Sequence, residues 1–74
     1  MNDLETEEDE VARALAAKLA HLRQDHQDLD AAVHALESQP SPDMIQIARL
    51  KKRKLVLRDQ IVLLENQLTP DIIA

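Results

Sequence analysis

Ser38-Gln39-Pro40-Ser41-Pro42-Asp43 (residues 38–43) interrupts an otherwise continuous helical pattern, and its reading decides the fold. Proline has no N–H to donate and clashes with the preceding helical turn, so helices stop before it or begin at it. One helix is therefore predicted over residues 6–37 and a second over 42–67, joined by a turn at 38–41. Ser41 would be the N-cap of the second helix, with Pro42 at its first position. Thr6 and Asp9 have the cap-and-third-residue spacing that starts the first. Glu7, Glu8, Asp9 and Glu10 would then sit on the positive end of its dipole. Residues 1–5 are read as an acidic arm, and residues 69–74, beginning Thr69-Pro70, as a tail.

Outward from the turn, leucines recur every seven residues on both sides. Leu15, Leu22, Leu29 and Leu36 take heptad position d in the first helix. Ala12, Leu19, His26 and Val33 take position a. In the second helix Ile47, Lys54, Ile61 and Leu68 take a, and Leu50, Leu57 and Leu64 take d. Folding the chain at Pro40 sets Leu36 opposite Ile47, Val33 opposite Leu50, and Leu29 opposite Lys54. It also sets His26 opposite Leu57, Leu22 opposite Ile61, Leu19 opposite Leu64, and Leu15 opposite Leu68. Every layer pairs an a with a d, as an antiparallel coiled coil requires. The short connection favours the same arrangement. The e positions agree independently: Arg23 meets Glu65, Asp30 meets Arg58, and Glu37 meets Lys51. Asp25 and Arg53 are expected as neighbours on the other flank. Exposed pairs stabilise by only ~0–1 kcal/mol each, so their value lies in selecting partner and direction. The fold class is thus all-α, an antiparallel two-helix hairpin.

Composition narrows the function. The chain has 74 residues, enough for one small domain that buries little surface. It has no cysteine, hence no disulfide, and no glycine, hence no Gly-rich phosphate loop. It has no aromatic residue on which a base could stack. The opening MNDLETEEDE lacks the basic start and apolar run of a signal peptide, and no stretch approaches the ~20 apolar residues of a spanning helix. A cytoplasmic protein without membrane contact is expected. The net charge is −5, but six of the nine basic residues fall between Arg49 and Arg58.

Candidates for chemistry are few. His21, His26 and His34 lack the i, i+4 pair of helical zinc sites. Asp30 lies four residues from both His26 and His34, and a hydrogen-bonded carboxylate accounts for that spacing. Asp25 and Asp28 read as a solvated face. No catalytic set, cofactor or metal site is implied, and the chain is read as a non-enzyme. In Lys51-Lys52-Arg53-Lys54, Lys51 and Arg53 flank the seam. Lys54 enters it, with its stem on Leu29 and its ammonium in solvent. Arg49, Lys52 and Arg53 remain as candidate nucleic-acid contacts.

The second helix carries more apolar residues than its seam uses. Leu55, Val56, Val62 and Leu63 fall at b and c positions, where a lone hairpin faces water. The outer positions of the first helix are small: Ala14, Ala17, Ala20, Ala31 and Ala35. Burying a Leu or Val is worth ~1.5–3 kcal/mol, which outweighs the exposed ion pairs. These four residues are therefore the candidate protein interface. The hairpin is expected to dimerise, or to form a higher homo-oligomer, in a four-helix arrangement, and to dock onto a larger assembly.

The segments HQDLDAAVHALE (26–37) and RLKKRKLVLRDQI (49–61) resemble the YdcH-like family of small bacterial proteins, a domain of unknown function. The resemblance rests on His26, Leu29, Asp30, Leu36 and Glu37, then Leu50, Lys51, Lys52, Lys54, Leu55, Leu57, Asp59 and Ile61. Arg58 stands where members usually carry Lys. The resemblance implies a cytoplasmic bacterial helical hairpin and assigns no activity. The primary expectation is a structural or interaction module. The alternatives are a nucleic-acid or ribonucleoprotein accessory protein, and a hairpin that inserts its Pro-containing tip into a larger machine.

Overall fold

A computed structural model describes residues 3–68, with side chains from Asp9 onward. It contains two helices, α1 (Asp3–Glu37) and α2 (Met44–Leu68), packed along one another as a hairpin. The predicted seam is the observed one. Leu19, Leu22, Val33, Ile47 and Leu64 are buried. Leu15, His26, Leu29, Leu36, Leu50, Lys54, Leu57, Ile61 and Leu68 are half-buried. Leu19, Leu22 and Leu64 form a cluster on which Leu15, Leu57, Ile61 and Leu68 pack. Ala12 departs from the pattern and is exposed. Its opposite level falls beyond Leu68, so α1 overhangs the last described turn of α2.

Two boundaries differ from the sequence reading. First, α1 begins at Asp3, so Thr6 lies inside the helix and not at its cap. Residues 3–10 hold no Pro or Gly to stop the helix, and their carboxylates favour its positive end. The expected arm at 1–5 is thus helical from Asp3, and its first two residues lie outside the described ones. The tail at 69–74 does too.

Second, α2 is capped by Asp43, not Ser41. Asp43 Oδ1 accepts the N–H groups of Ile45 at 3.1 Å and Gln46 at 3.0 Å. Its carbonyl takes the N–H of Ile47 at 3.0 Å. The carboxylate serves two free donors and sets a negative charge against the positive end of the dipole, a charge that a serine hydroxyl lacks. Pro42 consequently precedes the helix, and the turn spans 38–43 instead of 38–41.

The other end of α1 lies at Glu37, where the sequence reading puts it, and it closes without glycine. The Ser38 hydroxyl donates to the His34 carbonyl at 2.9 Å, and the Ser38 N–H points at the same oxygen at 3.2 Å. The Gln39 N–H reaches the Leu36 carbonyl at 3.3 Å. A tightened last turn of this kind satisfies carbonyls that a left-handed glycine would otherwise serve.

Candidate functional site

The polar flanks of the seam fix the direction of the hairpin. Arg23 Nη2 meets Glu65 Oε2 at 2.6 Å, and Lys51 Nζ meets Glu37 Oε2 at 3.0 Å, as their heptad positions require. The expected Asp30–Arg58 pair does not form. Asp30 Oδ1 instead accepts from Lys54 Nζ at 2.6 Å. The reason lies in the seam. Lys54 enters it with its side chain only 27% exposed, so its ammonium must emerge beside the layer. Asp30 is the carboxylate next to that exit, and a charge-assisted bond there compensates partial desolvation. The ammonium thus rests on Asp30 and not in free solvent. Nor is Asp30 held by a histidine. His26 and His34 lie near enough to act on its charge without hydrogen-bonding it. Asp25 likewise takes His21, at 3.5 Å, and not Arg53.

The Lys54 bond and charge hold the Asp30 carboxyl below the usual carboxylate range, with desolvation opposing and the two histidines assisting. A depressed folded-state pKa contributes stability that is complete above the unfolded value, ~3.9, and is lost as pH falls through the folded one. Carboxyl-detected NMR should therefore find Asp30 titrating below the ordinary aspartate range. In Lys54→Met the Asp30 midpoint should rise to the ordinary range. An unchanged midpoint would mean that the Lys54–Asp30 contact is absent in solution.

Two surfaces stand out beyond the seam. One is a groove of about 850 Å³ between the helices, lined by Asp25, Asp28 and Leu29 from α1 and by Arg49, Lys52, Arg53, Val56, Leu57 and Gln60 from α2. It brings together the three basic residues singled out in the sequence. It also sets two carboxylates against them, and these repel a phosphate backbone.

The other surface is the outer face of α2. Leu55 is 58% exposed, Val56 50%, Val62 45% and Leu63 62%. A helix turns ~100° per residue. Leu55 and Val62 therefore lie about 50° to one side of the direction opposite the seam, and Val56 and Leu63 about 50° to the other. The four form one stripe along the back of α2. Ile45 and Met44 are also exposed at its N-terminal end, and Val11 is exposed on the overhang of α1.

Among the described residues no three His, Cys, Asp or Glu side chains converge as metal ligands, and no helix is long and apolar enough to cross a membrane. Sequence reasoning missed the Asp43 cap, although Asp43 followed by Gln46 carries the capping-box spacing. A family model described as "Protein of unknown function (DUF465)" matches residues 19–65. That stretch runs from Leu19 to Glu65, the part of the chain that closes into the paired hairpin. No curated protein and no solved structure matches the chain.

Proposed function

The chain belongs to the DUF465 family, which includes the YdcH-like proteins, and from that premise we propose that it is a non-enzymatic interaction module that self-associates through the outer face of α2. The observation that carries this reading is the exposure of Leu55, Val56, Val62 and Leu63 on a helix whose seam is already filled. Large exposed apolar patches on small proteins mark contact surfaces. A hairpin with so small a core also gains stability from association. Docking onto a larger assembly would use the surface that the pairing of two hairpins leaves free.

The test is sedimentation velocity of the wild-type chain across the micromolar range. The expected result is a concentration-dependent shift from the 8.4 kDa monomer to a dimer. A monomer throughout that range overturns self-association.

A second reading, nucleic-acid binding in a bacterial cytoplasm, draws on the convergence of Arg49, Lys52 and Arg53 in one groove. The facing Asp25 and Asp28, the net charge of −5 and the lack of any stacking aromatic weigh against it. Partners captured from native lysate that vanish on nuclease treatment would favour it over the first reading.

A further inference from the structure

Resting on self-association through α2, we infer the geometry of the contact: two copies pack their α2 helices antiparallel about a two-fold axis between Leu55 and Val56, with Lys52 of each paired to Asp59 of the other. Lys52 and Asp59 are seven residues apart and occupy the centre line of the stripe, directly opposite the seam. Both are exposed, and among the described residues neither makes an ion pair within the hairpin. Asp59 is ringed by the four aliphatic residues at its i±3 and i±4 neighbours. Any surface that covers the stripe desolvates this carboxylate and has to supply a cation above it.

A second copy supplies that cation in one register. Parallel packing in register sets Lys52 on Lys52 and Asp59 on Asp59. An antiparallel axis at Asp59 places the two carboxylates against each other, and an axis at Lys52 does the same with two ammonium groups. With the axis between Leu55 and Val56, Lys52 faces Asp59 twice, by symmetry. Leu55 then faces Val56 across the axis, and Leu63 faces the small Ala48, which leaves room for it. Moving the axis on to Val62 and Leu63 sets Asp59 against the neutral Asn66 and carries the contact past Leu68. Charge complementarity thus selects a self-complementary contact. It lines the four helices up in the order α1, α2, α2, α1.

Charge reversal tests the register. Lys52→Glu alone and Asp59→Lys alone each create two like-charge contacts, and each should weaken the dimer about tenfold at low ionic strength. The double variant restores both pairs at the wild-type net charge and should recover the wild-type dissociation constant. An equimolar mixture of the two single variants should likewise form a mixed dimer, because each copy then meets its opposite. This readout holds even if a single variant folds poorly alone. A monomeric wild type overturns self-association itself. A dimeric wild type whose single variants sediment unchanged overturns this register alone. Single variants that weaken the dimer, with no recovery in the double variant or the mixture, overturn it as well.

Discussion

Ile47→Ala is expected to remove most of the cooperative helical melt at neutral pH, whereas Ile45→Ala should leave it nearly unchanged. The two isoleucines lie one residue apart from a shared neighbour on the first turns of α2, yet Ile47 is 2% exposed and Ile45 68%. Ile47 lies at the level of Leu36, in the first layer after the turn, and its N–H closes the first backbone bond of α2 onto the Asp43 carbonyl at 3.0 Å. Truncating a buried isoleucine to alanine costs about 2–5 kcal/mol, because transfer and cavity costs add. A domain this small has only a few kcal/mol of net stability, so the loss is comparable to the whole. The expected fall in melting temperature is about 10 °C or more, read by circular dichroism at fixed protein concentration. At Ile45 the same change removes an exposed side chain and improves helix propensity, so the effect should stay within about 0.5 kcal/mol. Equal effects at the two positions would mean that α2 is rotated from the described register.

That contrast shows why so much of the fold was legible. Burial in a two-helix hairpin follows one rule, the heptad, and the sequence keeps it through consecutive turns on both sides of the prolines. The seam, the pairing of layers and two of the three e-position ion pairs follow from position alone. What escaped depends on which of several competing partners a side chain reaches. Asp30 had Arg58, His26 and His34 within plausible range, and Lys54 prevailed because its stem is half-buried and its ammonium has one nearby exit. At the start of α2, Ser41, Pro42 and Asp43 all suit a helix terminus. The carboxylate of Asp43 prevailed, serving two N–H groups and placing a negative charge at the positive end of the dipole. The candidate interface was legible as an excess of apolar residues. The b and c positions flank the direction opposite the seam, so heptad position alone already places the four on one face.

The largest effect on assembly should come from Leu55→Glu combined with Val62→Lys. Both residues lie on the same side of the stripe, seven apart, and both are exposed in the single hairpin. Neither contributes to the cluster of Leu19, Leu22 and Leu64 or to the residues packed on it. The substitutions therefore leave the seam intact and act on whatever covers the back of α2. Burying two aliphatic side chains is worth roughly 3–6 kcal/mol per copy, and a desolvated unpaired carboxylate in their place adds a further cost. In a two-fold contact each change occurs twice, so even a tight micromolar dimer should dissociate. Sedimentation velocity should then report a monomer at concentrations where the wild type is dimeric. Helicity should also fall or become concentration-dependent, since association no longer adds to the stability of the hairpin. Arg13→Ala, on the overhang of α1, provides the control. Arg13 donates only to the Asp9 carbonyl within its own helix, at 3.3 Å, and its loss should leave the dimer in place. A double variant that sediments as the wild type does would place the contact elsewhere. The remaining choice would be between the groove and the exposed Val11 on α1, and Val11→Glu would separate them.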